Sequence, residues 1–537
     1  MKTLRHLTNT AFVVSFALLA SCSSDNDIEV NNENNNNNAN VPAEKLRFSA
    51  TVEPNVVSRA TLNQDDNTLH WDANDKIAVF SPKANKIEEF TVESQYAGQT
   101  VAYFSSDKPS TLTPPDETGS FRYYYAFYPA EAVKGLATAS SGEYNRAQGY
   151  IPTEQKVTEG YTYDKSAMLM IARTTAAEKA FSFLNVNALV KVTITDNDDG
   201  KVKYIKLVAN NSKIMSGTGT FYFNGSTGDV NQSLVSGSDT KNYVQLEIPA
   251  SSGSVDYYLS VHNNTFDNGF TLLLESEFDE TTQSQSIYQR VKTGSTPLAR
   301  STIYDFGDYK VSKLKFLNNV VDLGLASGTI WSTRNVTGNG SSATLVDGYY
   351  DFGDYYAWGE TAQKENYAED TYKWYTKKTS WGVTSYTVNK YDANNGYLEK
   401  ADDVAWQISG NKYRMPTEAQ INELAALTKN YYHSASNTFN GYQGVKFTGA
   451  YGRYLWLPAA GYQINSFVQQ GAQGIGTTNH YWSRTIFNDD HKSAVTLDYY
   501  NGAVDHHNLG GGTAADGRDR RITGKSIRPV VYNPTRP

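Results

Sequence analysis

ALVKVTITDNDDGKVKYIKLVA, residues 188–209, decides the fold class. Ala188, Val190, Val192 and Ile194 alternate with Leu189, Lys191, Thr193 and Thr195. Successive side chains of a strand point to opposite faces, so this period of two predicts a half-buried strand. The acidic, glycine-ended DNDDGK (196–201) is a turn, and KVKYIKLVA (201–209) resumes as a second strand. The same reading extends in both directions. LRFSATV (46–52), TFYFN (220–224), NYVQLEIPA (242–250), DYYLSVH (256–262) and FTLLLESEF (270–278) are further short strands, with Gly-, Asn- and Ser-rich connectors such as NGSTGD (224–229). Helical periodicity is scarce from Leu46 to Lys310. Evenly spaced short strands with little helix predict β-sandwiches. The region is too long for one such module, and a division near Glu178 gives two expected β-sandwiches, 45–178 and 179–312.

From about Phe316 the composition shifts towards Gly, Trp and Tyr. YRMPTEAQINELAAL (413–427) carries the strong helix signal of this part. Thr417 is the N-cap, Gln420 completes a capping box, and Ile421, Leu424 and Leu427 share one face. The expectation for 313–537 is an α+β domain, which leaves the whole chain mainly β.

The N-terminus has its own grammar. Lys2 and Arg5 precede an apolar run from Ala11 to Ala20. Ten residues of helix rise only about 15 Å, about half a bilayer core, so the run suits a signal peptide rather than a membrane span. It ends in Leu19-Ala20-Ser21-Cys22, and Cys22 is the single cysteine of the 537 residues. This pattern resembles the bacterial lipobox, which implies cleavage after residue 21 and lipid on Cys22. With one cysteine no intrachain disulfide forms, and stability must come from buried cores. Residues 22–44 are acidic and then nearly all asparagine, with almost nothing apolar to bury, and read as a disordered tether. Asp25, Asp27 and Glu29 behind the cysteine resemble the surface-export signal of Bacteroidetes lipoproteins, which is the favoured reading over a mere acidic linker. Together these place the chain on the cell outer membrane, lipid-anchored and surface-exposed. Removal of residues 1–21 takes away Lys2 and Arg5 and no acid, so the mature chain is more negative than the formal −8. That balance argues against nucleic acid as the main partner, though it leaves room for a local basic patch.

Two series of landmarks carry family resemblances. SRAT (58–61), LHWDANDKIAVF (69–80), YYYAFYPAE (123–131), IPTEQ (151–155), DKSAMLMIA (164–172) and FLNVNALVKVTI (183–194) resemble, in order and spacing, the Mfa-like fimbrillin family of Bacteroidales. Here Trp71 is expected to open a buried strand running through Ile77, Val79 and Phe80, and YYYAFYP to form an aromatic strand ended by Pro129. Downstream, VDLGLASGTIWSTRNV (321–336), YDFGDYYAWGET (350–361), RMPT (414–417), LPAAGY (457–462), YWS (481–483) and SIRPV (526–530) resemble the Fibrobacter succinogenes major paralogous domain, a C-type-lectin-like module. The fimbrillin resemblance implies export as a lipoprotein and proteolysis after an arginine. It further implies a vacated groove that accepts a strand from another subunit, by β-strand addition. Arg59 in SRAT and Arg47 are the arginine candidates, and both also read as plain surface residues. Shaft subunits donate a C-terminal strand, whereas this chain continues far beyond Lys310, which implies a tip or accessory subunit.

No catalytic constellation stands out. HExxH, Walker, GxSxG and GxGxxG motifs are missing from the sequence, and no cofactor is implied. The formylglycine-generating relatives of lectin-like folds use a cysteine pair that 313–537 lacks, so the chain reads as a non-enzyme. Adjacent His506 and His507 would face opposite ways in a strand and read as loop rather than metal ligands. Asn488-Asp489-Asp490 reads as a surface turn rather than a calcium loop, so no metal site is assigned. Aromatic faces that stack on sugars or fill interfaces remain. Tyr372, Trp374, Tyr375 and Trp381 lie in a polar segment without strand or helix pattern, and are the candidate ligand contacts for a host or bacterial surface glycan or protein. Trp358, Trp406, Trp456 and Trp482 read as core. The expected function is a fimbrial tip or accessory subunit presenting a lectin-like adhesive domain, its partners being other fimbrial subunits. The alternatives are a free-standing surface glycan-binding lipoprotein and, third, a polysaccharide-active enzyme.

Overall fold

A computed structural model describes residues 45–52, 70–119, 121–140, 142–225, 227–391, 396–408, 410–464, 467–468, 475–487, 492–500, 503–504 and 517–535. The chain is mainly β. Cys22, Arg59, Asn488-Asp489-Asp490 and His506-His507 lie outside the described residues.

Alternation leaves open whether the edges of a sheet meet. In the first sheet they do. β1 (Arg47–Val52), β2 (Lys76–Phe80), β3 (Ile87–Val92), β4 (Ala102–Ser105), β5 (Tyr124–Tyr128), β9 (Met170–Thr174) and β10 (Ala180–Asn185) close into a barrel ordered β1-β10-β9-β5-β2-β3-β4. β1 runs parallel to β10 and antiparallel to β4. Phe48, Ala50, Trp71, Ile77, Val79, Phe90, Tyr124, Ala126, Tyr128, Phe181 and Phe183 fill the interior. Trp71 is fully buried but sits ahead of a turn at 72–75, and the strand itself starts at Lys76. The turn arises because the Asp75 carboxylate accepts the Asp72 N–H at 2.8 Å.

YYYAFYP is apolar at every position because both faces of β5 are buried. Tyr124, Ala126 and Tyr128 point into the barrel, whereas Tyr125 and Phe127 pack with Phe80, Leu169 and Ile171 on its outside. That outer layer meets a four-stranded sheet of β6 (Val133–Thr138), β7 (Tyr144–Ile151), β13 (Gly217–Phe223) and β14 (Val230–Leu234) through Ala147 and Phe221. Gly149 in β7 permits the approach, because a Cβ there would lie 2.4 Å from the Phe127 ring.

β11 (Asn187–Asn197), β16 (Ser251–His262) and β21 (Ile303–Lys310) form the next sheet, in the order β16-β11-β21. Opposite it lie β12 (Tyr204–Ala209), β15 (Tyr243–Glu247), β18 (Phe270–Glu275) and β19 (Gln285–Lys292), with β8 (Glu154–Lys156) at one edge. Short β17 (Asn264–Phe266) pairs with β20 (Thr296–Leu298) beside them. Val190, Val192, Ile194, Ile205, Leu207, Leu246, Leu259, Leu272 and Leu274 fill the space between the two layers. This is a sandwich with the faces that the 188–209 alternation predicts.

The sheet does not stop at β19. It continues through β22 (Leu317–Asp322), Ile330–Ser332 and Val530–Val531 to Tyr413–Arg414, nine strands in all among the described residues. Its second face is therefore buried as well. Val208, Tyr243, Leu273 and Ile287 pack with Ile330, Trp358, Met415, Trp482 and Ile527. Inside this seam Lys206 and Glu275 from the upstream strands meet Asp322 and Arg453. Lys206 pairs with Asp322, and Arg453 Nη1 lies 2.8 Å from Glu275 and 3.9 Å from Asp322. All four are nearly or wholly inaccessible.

The helix Glu418–Ala425 forms where its capping box places it. Gln420 N–H donates to Thr417 Oγ1 at 3.2 Å, and Thr417 N–H donates to Gln420 Oε1 at 2.9 Å. Ile421 and Leu424 are buried against Val445, Leu455 and Tyr499, and Leu427 packs at the margin. Trp358, Trp456 and Trp482 are buried, whereas Trp406 is half-buried with its ring edge-to-face on Tyr532 at 5.0 Å. Among the described residues no helix is long and apolar enough to cross a membrane.

Candidate functional site

The segment holding the four candidate aromatics is a β-hairpin, not an irregular loop. Tyr375–Ser380 pairs antiparallel with Val383–Val388 in unbroken register, from Tyr375↔Val388 to Ser380↔Val383. Apart from Tyr375, Val383, Tyr386 and Val388 the strands carry only Thr, Lys and Ser, mostly exposed, so no sustained alternation marks them in the sequence. A two-residue turn joins them at Trp381 and Gly382, with φ of +53° and +76°. Both central residues are thus left-handed, the geometry of a type I′ turn, which favours Asn, Asp or Gly at the position where Trp381 stands.

The hairpin divides the candidates into two pairs. Tyr372 and Tyr375 are buried at its base with Ala357, Tyr367 and Ile522. Their rings meet edge-to-face at 4.8 Å, and the Tyr372 hydroxyl donates to the Trp358 carbonyl at 2.7 Å. They anchor the hairpin, since an isolated two-stranded ribbon is marginal in water. Trp374 is half-buried. Its Nε1–H donates to the Gly359 carbonyl at 2.8 Å, and the ammonium groups of Lys373 and Lys390 lie 4.1 and 4.9 Å from its ring centre. Lys390 is held in turn by Asp402 at 2.6 Å and Glu399 at 2.9 Å. Trp381 is 100 % exposed, beside Val383 at 70 %. A wholly solvated indole in a strained turn is unfavourable on both counts, so Trp381 is the one of the four candidates with a free surface to offer.

Arg47 opens β1. Its guanidinium grips Glu93 through two bonds of 2.6 and 2.7 Å and lies 3.9 Å over the Tyr103 ring. The Arg47 bond is the largest influence holding the Glu93 carboxyl below its ordinary range. The next residue, Phe48, is fully buried, so the Arg47–Phe48 peptide bond lies within the closed barrel.

Buried charge groups carry no signal in the sequence. One is the seam cluster. Another joins His480, Asp498 and Lys525: His480 Nδ1 is 2.8 Å and Lys525 Nζ 3.1 Å from the Asp498 carboxylate. Burial pushes Asp498 up, but Lys525 and His480 outweigh it and hold the carboxyl below its ordinary range. These members sit far apart in sequence or one strand apart, and only folding brings them together. All three are almost fully inaccessible, which fits a structural role. Among the described residues no group of three or more His, Cys, Asp or Glu side chains could hold a metal ion.

No protein-family model matches the chain, and no curated protein matches it significantly. Solved structures show some likeness. One is a protein of Bacteroides uniformis provisionally named for cell adhesion, with 13% identity, a TM-score of 0.31 and coverage of 51% of this chain and 97% of that one. A similarly named protein of Bacteroides ovatus has 12% identity, a TM-score of 0.30 and coverage of 51% and 96%. A fimbrial protein of Bacteroides ovatus spans 90% of this chain and 98% of its own, with 11% identity and a TM-score of 0.20. At such scores neither fold nor function is inferred from them.

Proposed function

We propose that the chain is a non-catalytic surface lipoprotein, a fimbrial tip or accessory subunit that accepts a β-strand from a neighbouring subunit. Lipid on Cys22 would tie it to the outer membrane during export, and residues 313–537 would form its outward, lectin-like adhesive part. The observation that supports this is the seat of β1. Among the described strands of the barrel, its pairing with β10 is the parallel one in an otherwise antiparallel ring. Cleavage after Arg59 would detach β1 from the rest of the chain. Its loss would open the barrel and bare the edges of β10 and β4, a ready template for an incoming strand. Phe48 would leave a pocket walled by Phe90, Tyr124 and Phe181, whose rings lie 5.1, 5.4 and 4.9 Å from its own. Cleavage after Arg47 would instead leave β1 in place, so Arg59 is the productive site. N-terminal sequencing of surface-released protein is expected to begin at Ala60. An intact Cys22 end would refute the processing step.

Trp381 favours a second reading, a free-standing glycan-binding lipoprotein whose contact is the hairpin tip. A Trp374→Ala/Trp381→Ala variant that stays folded would lose binding on a glycan array under that reading. Immunolabel at filament ends supports the tip subunit, and diffuse surface label supports the free-standing binder.

A further inference from the structure

Where the barrel wall meets the end of the four-stranded sheet lies a cleft of about 640 Å³. Its lining draws arginines from three elements: Arg122 just ahead of β5, Arg146 in β7 and Arg173 in β9. The register explains part of the arrangement, since Arg173 stands opposite Tyr125 across β9 and β5, and Arg146 opposite Tyr222 across β7 and β13. Arg122 and Arg173 lie over the same ring, Tyr123, at 4.7 and 4.6 Å. Arg173 also lies 4.7 Å from the Phe223 ring, and Arg146 lies 4.4 Å from Tyr222.

These guanidinium groups lack an acidic partner among the described residues. Arg47, Arg414 and Arg453 each meet a carboxylate at 2.6 to 2.8 Å. Among the described residues, no carboxylate lies within ion-pair distance of Arg122, Arg146 or Arg173, and no hydrogen bond engages their N–H donors. The Nε of Arg146 and the neighbouring Asn145 Oδ1 are buried without a partner. The other N–H donors of these half-buried or exposed side chains line the cleft and are open to an acceptor from outside. Stacking on a ring leaves the in-plane N–H fork available, and that fork matches a planar or tetrahedral oxyanion. Among the described residues the lining contains one carboxylate, Glu143, against the three arginines, so it favours an anion within a chain of net charge −8.

The remaining lining narrows the ligand. Asn145, Asn224 and Asn231 supply amides that suit hydroxyl groups rather than an alkyl chain. Guanidinium groups lie over Tyr123, Tyr222 and Phe223, and Tyr125 is buried and stacked on Phe80, which disfavours a nucleobase. The volume falls within the range of small-ligand sites. We propose that this cleft binds an acidic saccharide, a uronate- or sulfate-bearing oligosaccharide whose oxyanion is held by Arg122, Arg146 and Arg173. The site shares no residue with the Trp381 hairpin, and either can fail without the other.

Calorimetric titration of the full chain tests this. The probes are trigalacturonate, a heparin-derived tetrasaccharide, neutral maltotetraose, sodium sulfate and a tetraglutamate peptide. At least one acidic saccharide is expected to bind while maltotetraose does not, and the galacturonate and heparin arms separate carboxylate from sulfate recognition. Arg122→Gln and Arg173→Gln should each weaken binding about tenfold, the worth of a charged hydrogen bond. Arg122 is exposed, so its replacement leaves the fold intact. Lys313→Gln, which removes an exposed cation outside the cleft, should bind as the parent does. Equal binding of maltotetraose, binding of tetraglutamate or free sulfate as tightly as the acidic saccharides, no saccharide binding, or unchanged affinity in the folded arginine variants would each overturn the proposal.

Discussion

Replacing Asp322 by Asn removes the central anion of the seam while keeping its shape. Asp322 pairs with Lys206, lies 3.9 Å from Arg453, and its Oδ1 accepts the Gly324 N–H at 2.9 Å. An Asn oxygen can keep the Gly324 bond but not the charge. Two unit charges about 4 Å apart interact by about 4 kcal/mol at an effective dielectric constant of about 20. Removing one partner of a buried pair costs about 3–5 kcal/mol, because the other charge is stranded. The loss is softened by Glu275. Its carboxyl is held above the ordinary 4.5 by burial first and by Asp322 second, so it ionises more readily once Asp322 is neutral. Asp322→Asn should therefore lower unfolding free energy by about 3 kcal/mol at neutral pH. A pH signature accompanies it. A carboxyl raised on folding contributes stability that is complete below its unfolded value and is lost as pH rises through the folded one. In the parent, Glu275 thus weakens the fold as pH climbs above 4.5. In the variant that decline should shrink. Urea unfolding followed by tryptophan fluorescence, at several pH values between about 5 and 8, reads both effects, and urea avoids screening the charges. A loss under about 1 kcal/mol with an unchanged pH slope would refute the reasoning. Lys206→Met/Asp322→Leu should recover most of the loss, since apolar replacement of a whole buried pair is often neutral.

Phe48→Ala should cost about 3–5 kcal/mol and speed hydrogen exchange in β1, β4 and β10 first, because the fully buried ring is enclosed by three others. Exchange slowed or unchanged in those strands would count against β1 as the labile member. Trp381→Gly should raise the melting temperature slightly, since Gly relieves the left-handed φ and no packing is lost; a clear drop would mean the indole packs after all. His262 is pushed down from 6.5 to about 4 by burial, against its bond to the Gly217 carbonyl at 2.9 Å. A depressed folded value gives stability that is present above 6.5 and lost as pH falls towards about 4. His262→Gln should flatten acid unfolding over that interval, read by circular dichroism against pH.

Much of the architecture is legible in the residues. The alternation in 188–209 identifies the inward faces of β11 and β12, and Thr417 with Gln420 announces the helix, because both signals are local and periodic. The hairpin escapes notice because Thr, Lys and Ser hold most of its positions and only Tyr375, Tyr386 and Val388 near its base are buried or half-buried, too few to impose a period. The buried Tyr372 and Tyr375 and the bare Trp381 are the same kind of residue in one short stretch, and composition cannot sort them. The arginine cleft is illegible for another reason: its cations come from three separate stretches and meet only where the barrel packs against the four-stranded sheet.

By itself the sequence determined a mainly β chain, the inward side chains of its strands, one capped helix and a single cysteine. The tertiary structure alone decided that the first sheet closes through a parallel β1–β10 contact and that one sheet runs on from β19 into the C-terminal region. The reason is physical. Side-chain period is set within a strand, but the partner of each edge, and what covers the second face, depend on strands hundreds of residues away. Lys206 in KVKYIKLVA shows the difference. Alternation gives it a polar, outward face, and the fold buries that face against Asp322.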